Sequence, residues 1–334
     1  MIRSAALLAG LCLALAFPAR PDRGASSDAR GVKPARAETP RVAVSIPPIH
    51  SLVAGVMDGV ATPELLVKGG ASPHTYSLKP SDAKALAEAQ LVFWIGEGLE
   101  AFLVKPLAAL AGNAKVVELI EVPDLRRLPY RTGGPWKRDD HGHDHADKKK
   151  ATKPEKTDHG HGDTDAHIWL SPTNARVLAA AIMTALVEAD PANALRYREN
   201  GQRLNDRLTA LEAEMKTALA PVKDRPFVVF HDAYQYLEDA FGLNAIGAVA
   251  IAPEKPPGPK GLAALRKRII ATRAQCVFRE PQFPAKLAET VAEGTGARIA
   301  ILDPEGITGA PGTNLYFELM RANVQALAAC LEDG

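Results

Sequence analysis

Leu204, Leu208, Leu211, Met215 and Leu219 recur at intervals of four, three, four and four residues. That spacing draws one apolar stripe along an α-helix, with polar residues filling the other face. Extended from Ala192 to Ala220, the helix measures about 43 Å at 1.5 Å per residue. This is longer than one small domain, so the stripe predicts a rigid connection between two bodies. The chain accordingly divides into an N-terminal lobe (residues 38–190), a connecting helix (191–221) and a C-terminal lobe (222–334).

On each side of that helix the apolar pattern shortens to strand length. Arg41–Ile46 alternates and stops at Pro47-Pro48; Glu64–Val67 ends at Gly69-Gly70. Ser81 then offers an N-cap for a helix to Gln90, with Asp82 in its first turn. Leu91–Ile95 is a continuous apolar run, as expected of a strand buried on both faces. A helix (Leu99–Ala111) and a strand (Lys115–Leu119) follow. Ser171-Pro172 supplies a cap and a first-turn proline for a helix to Ala189, and Asp190-Pro191 restarts the chain. Beyond Pro226, strands are expected at Phe227–Phe230, Ala245–Ala250, Gln275–Arg279 and Arg298–Leu302, with a last helix from about Asn314 to Leu331. Strands alternating with helices at this spacing predict an α/β fold, each lobe a parallel-type sheet flanked by helices.

The first residues set the compartment. Arg3 precedes an apolar run from Ala5 to Phe17, about 13 residues, which is a signal-peptide core rather than a membrane span. Phe17-Pro18-Ala19 and Ala35-Arg36-Ala37 are both small-residue cleavage sites, so residues 1–37 read as signal peptide and flexible lead-in to a protein exported to the periplasm. Leu11 before Cys12 does not make a lipobox. No other run is long and apolar enough to span a bilayer. Cleavage after Ala37 takes six Lys/Arg and two Asp/Glu from totals of 40 and 39, leaving 34 and 37, a formal charge of −3. Such a balance does not suit nucleic acid. Cys276 and Cys330 remain; in an exported chain they read as a disulfide rather than two buried thiols, worth ~4 kcal/mol for a loop of about 55 residues.

Nine histidines are distributed unevenly. Five (His141, His143, His145, His159 and His161) fall within residues 139–163, too polar to bury a core and expected to form a mobile loop with weak, exchangeable metal contacts. Of the other four, His74 follows Glu64–Val67 across a glycine turn, His167 precedes a short strand expected at Ile168-Trp169-Leu170, and His231 ends Phe227–Phe230. Asp303 ends the last strand in the same way, whereas His50 after the proline pair reads as structural or cleft-lining. Ligands of open α/β sheets gather beyond the carboxyl ends of strands, so these groups can converge on one interlobe cleft. Three imidazoles with a carboxylate oxygen or water complete the usual shell of Zn²⁺.

Five stretches in order resemble the periplasmic zinc-binding receptors of ABC importers, within the wider group of metal-specific solute-binding proteins that have a helix between two lobes. They are Gly70-Ala71-Ser72-Pro73-His74-Thr75-Tyr76-Ser77-Leu78-Lys79-Pro80-Ser81-Asp82, Ala166-His167-Ile168-Trp169-Leu170-Ser171-Pro172, Phe230-His231-Asp232-Ala233-Tyr234, Val277-Phe278-Arg279-Glu280-Pro281-Gln282-Phe283 and Leu302-Asp303-Pro304. The resemblance runs from about Arg41 to the C-terminus. It implies a receptor that captures Zn(II) on His74, His167 and His231 and delivers it to an inner-membrane permease with a cytoplasmic ATPase. It further implies a Cys276–Cys330 bridge, a histidine-rich loop, a monomer, and no catalytic role. Many such receptors carry a Glu immediately before the first histidine; here Pro73 stands there and has no donor atom. The fourth position therefore goes to Asp303, or else to water. A manganese or iron receptor of the same group would have a carboxylate at the place of His231. A zinc hydrolase would need a general base beside an open metal position, for which Glu280, after a strand, is the one candidate.

Overall fold

The structure is a computed structural model that describes residues 39–131, 136, 164–250 and 257–332. The expected signal segment and lead-in (1–37) and the histidine-rich stretch (139–163), with His141, His143, His145, His159 and His161, lie outside the described residues.

Eight strands form two four-stranded parallel sheets. The first joins β1 (Val42–Val44), β2 (Glu64–Leu65), β3 (Leu91–Trp94) and β4 (Lys115–Glu118) in the order β2-β1-β3-β4. The second joins β5 (Phe227–His231), β6 (Ala245–Ala250), β7 (Cys276–Arg279) and β8 (Arg298–Ile301) in the order β6-β5-β7-β8. The two lobes thus share one topology, and in each the chain direction across the sheet reverses beside the lobe's first strand.

Alternation along the strands sorts side chains to two faces. Val42, Val44, Leu91, Phe93, Phe227, Val229, Cys276 and Phe278 belong to one core common to both lobes. The intervening Ala43, Val92 and Trp94 face an outer layer made by α2 (Pro80–Glu88) and α3 (Val104–Leu110). Val228, Phe230 and Val277 face a corresponding layer of α7 (Pro259–Thr272) and α8 (Lys286–Ala292). On the common side lie α1 (Pro47–Val56), α4 (Pro172–Ala189), α5 (Ala194–Leu219) and α9 (Leu315–Glu332).

Helix α5 has 26 residues and follows a 3-10 turn at Pro191–Asn193. Every member of its apolar stripe is buried in the common core. The connecting helix is thus enclosed on one face by α1, α4 and α9. The short α6 (Gln235–Phe241) completes the set of helices used below. The disulfide between Cys276 on β7 and Cys330 on α9 spans 6.2 Å between Cα atoms.

Three local expectations need correction. Pro47-Pro48 does not merely stop β1; the pair opens α1, since a proline in the first helical turn loses no needed N–H bond. Helix α2 starts at Pro80, two residues earlier than a Ser81 cap allows, and Asp82 Oδ2 accepts the Lys79 N–H at 3.0 Å. Ile168–Leu170 is a 3-10 turn and not a strand, because Ser171 caps the helix that follows immediately and leaves no room for an extended run. The Ser171 cap itself is present, its Oγ accepting from Asn174 N at 3.3 Å.

Candidate metal centre

Each of three histidines reaches the cleft by a different local device. His74 sits in a 3-10 turn, Pro73–Thr75, after Gly69 and Gly70, whose φ values of 73° and 76° allow the sharp reversal from β2. The far side of this loop is held by the Tyr76 hydroxyl, 2.7 Å from Asp82 Oδ2 and 3.2 Å from Leu66 O. Burial, then the hydrogen bond to Asp82, pushes that phenol up to about 12, so it stays a donor. His167 stands immediately before the Ile168–Leu170 turn, and Asp165 Oδ1 accepts both its backbone N–H (3.0 Å) and its Nδ1 proton (2.7 Å). His231 is the last residue of β5, and its Nδ1 lies 2.7 and 2.8 Å from the two oxygens of Glu280, the residue after β7. Strands β5 and β7 are neighbours at the point where the sheet order reverses, which places these two side chains together.

A carboxylate on Nδ1 fixes the neutral tautomer and leaves Nε2 as a bare lone pair. His167 Nε2 nevertheless lies 3.3 Å from His231 Nε2, and 3.3 Å from His74 Nε2. Two bare lone pairs cannot hydrogen-bond to each other, so between neutral His167 and His231 a shared cation or a proton accounts for the close approach. The spacing agrees with about 3.3–3.4 Å, the edge of a tetrahedron with Zn–N bonds of 2.0–2.1 Å. One ligand atom from each histidine falls within 4.8 Å of the others. The donor set therefore fits a tetrahedral, nitrogen-preferring dication.

The ring environments are unequal. His74 is half-buried, and its pKa lies well below 6.5 because of burial first and then of His167 and His231. His231 is buried too, which alone would lower its pKa. The charge and hydrogen bond of Glu280, helped by Asp232 and Asp165, reverse that and raise it above 6.5.

Asp303 is not part of the three-histidine group. Its Oδ1 accepts the N–H groups of Glu305 (3.0 Å) and Gly306 (2.8 Å), and its backbone is exchanged with the Asn323 amide. Oδ2 is buried and has no hydrogen-bond partner among the described residues. His50 lies apart, its Nε2 3.0 Å from Pro63 O. Glu280, the candidate general base, instead has both oxygens on His231.

Asp165 and Tyr236 had no place in the reading of the sequence. Asp165 lies two residues before His167, a spacing that lets one carboxylate serve both the main chain and the ring. The Tyr236 hydroxyl donates to Asp165 O (2.8 Å) and accepts from Leu128 N (3.0 Å), fixing the His167 segment to α6. On its other flank, Trp169 Nε1 donates to Pro304 O and the Tyr316 hydroxyl to Trp169 O, both at 2.8 Å. His167 is thereby tied to the body that carries His231.

Comparison with known proteins places this geometry in context. Residues 42–330 match the family described as zinc-uptake complex component A, periplasmic. The high-affinity zinc uptake system protein ZnuA of Brucella abortus is 43% identical over 304 residues, covering 87% of this chain and 91% of that protein. A crystal structure of ZnuA superposes with a TM-score of 0.70 at 26% identity, covering 88% of this chain and 99% of that one. A ZnuA deletion mutant with zinc bound gives the same TM-score and identity, over 88% and 98%.

Proposed function

The chain belongs to the periplasmic zinc-uptake component A family, and from that premise we propose that it captures Zn(II) on His74, His167 and His231. A periplasmic receptor of this family serves zinc uptake, handing its ion to a membrane permease driven by a cytoplasmic ATPase. In this reading the protein is exported as a monomer and residues 1–37 are removed. The single observation that carries the ligand assignment is that the Nε2 atoms of His74 and His231 each lie 3.3 Å from His167 Nε2, with two Nδ1 atoms tied to buried carboxylates. Asp303 is the proposed fourth ligand, supported by its buried, unpartnered Oδ2; a water is the alternative. Glu280 orients His231 and is not available as a general base, which favours a binding site over a hydrolase.

The test is titration of the purified protein, residues 38–334, with zinc against a competing chelator. One tight equivalent is expected, displaced poorly by manganese. Equal affinity for manganese would move the protein to the manganese or iron branch, and turnover of ester or peptide substrates would overturn the receptor reading.

A further inference from the structure

Arg131 lies outside the metal cluster, but its guanidinium touches Asp232, the residue after His231, and its segment touches Asp165, the support of His167. Its Nε is 3.0 and 3.2 Å from the two oxygens of Asp232, which Nη2 also contacts. Its Nη1 is 2.5 Å from Glu238 Oε2, and Nη2 is 3.2 Å from Glu238 Oε1. The guanidinium lies 3.5 Å from the centre of the Trp136 ring. All three charged groups are largely enclosed, with side-chain exposures of 17% for Arg131, 5% for Asp232 and 8% for Glu238.

The position of this triad matters more than its charge count. Asp232 directly follows His231. Two residues before Arg131, Pro129 forms a bridge with Thr164, and Asp165 N donates to Leu128 O at 2.8 Å. Asp165 in turn holds both the N–H and the ring of His167. One short segment thus grips the His167 support by its main chain and the His231 neighbour by its guanidinium. A buried ion pair adds little net stability compared with apolar packing, so stability alone is a weak reason for it. A planar fork with donors in fixed directions does set geometry, in a way that an ammonium does not.

We propose that Arg131 is a positioning residue of the metal centre, which holds His231 at tetrahedral spacing from His167 by clamping Asp232 and Glu238. This rests on the zinc-capture reading above. Without the guanidinium, Asp232 and Glu238 are two enclosed carboxylates with no cation between them. Asp232 then turns toward water and takes the end of β5 with it. The metal would keep its ligands but lose their spacing.

The experiment measures zinc affinity by chelator competition, and the visible absorption of the 1:1 cobalt(II) complex, for wild type, Arg131→Met and Arg131→Lys. Cobalt(II) absorbs strongly when tetrahedral and weakly when six-coordinate, so its spectrum reads ligand spacing, which a change in fold stability alone would leave unaltered. Arg131→Met should bind zinc about 10- to 100-fold more weakly, the usual result of removing a support behind a metal ligand, with a reduced cobalt band. Arg131→Lys keeps a cation between the carboxylates and should fall between the two; it carries the test if Arg131→Met does not fold. Wild-type affinity and an unchanged cobalt spectrum in the folded variants would overturn the clamp and leave zinc capture standing. Absence of tight zinc binding in wild type would overturn both.

Discussion

An imidazole whose Nδ1 proton is held by a carboxylate has one lone pair left, and at His167 and His231 that lone pair points into the cleft. Each ring is proposed to supply a quarter of the shell, so Ala at His74, His167 or His231 should weaken zinc binding at least about tenfold in a chelator competition. Two single variants with wild-type affinity would mean the wrong ligands are named. Glu280→Gln should cost about 10- to 100-fold while keeping the fold, since the amide no longer enforces the tautomer. Protons compete for the same atoms. Because the pKa of His231 is raised above 6.5, zinc affinity should already fall as pH drops through that raised value, with at least a tenfold loss, roughly, between pH 7.5 and 5.5. His74, with a depressed pKa, adds its loss only at lower pH. Stability of the metal-free protein follows linkage instead: the His231 contribution is full below pH 6.5 and lost as pH rises through its raised folded pKa. That of His74 is present above 6.5 and lost as pH falls through its depressed one. An affinity flat across this range would contradict neutral imidazole ligands. That these three histidines could come together was legible in the sequence because each lies in or beside a short turn or at a strand end. Their partners were not. Glu280 meets His231 only because β5 and β7 pair, and no local pattern announces which strands are neighbours.

Elements with strong periodicity were read to within a few residues. The stripe from Leu204 to Leu219 forms α5, and the alternation at Phe227–Phe230 forms β5, because both patterns reflect burial. Elements fixed by terminal chemistry were harder. Pro47-Pro48 serves equally as a stop and as a helix start, and Ile168-Trp169-Leu170 is as apolar as a strand although its length suits only a turn. Within α5, Leu211→Ala should cost about 2–5 kcal/mol in denaturant unfolding, because Leu211 is fully buried in the common core. Ser171→Ala should cost only about 1 kcal/mol, the usual value of a lost cap. If the two substitutions cost the same, α5 is not enclosed by its neighbours.

At the scale of the whole molecule, the two sheets share an inner core, and the metal cluster draws on segments from both sides of α5. A ligand that binds only the folded protein must stabilise it: zinc at a thousandfold excess over Kd adds about 4.1 kcal/mol. Thermal unfolding should therefore shift upward with zinc, and the shift should vanish in His167→Ala. Residues 139–163 supply none of the three converging nitrogens. Their deletion should keep the tight equivalent and remove only weaker ones in a calorimetric titration; loss of the tight phase would mean that histidines of that stretch complete the primary shell. Three imidazoles around one zinc would be visible in X-ray absorption at the zinc edge of the 1:1 complex. Four light-atom ligands at about 2.0–2.1 Å are expected, with multiple scattering from three imidazole rings. A shell with one imidazole or none would contradict this arrangement.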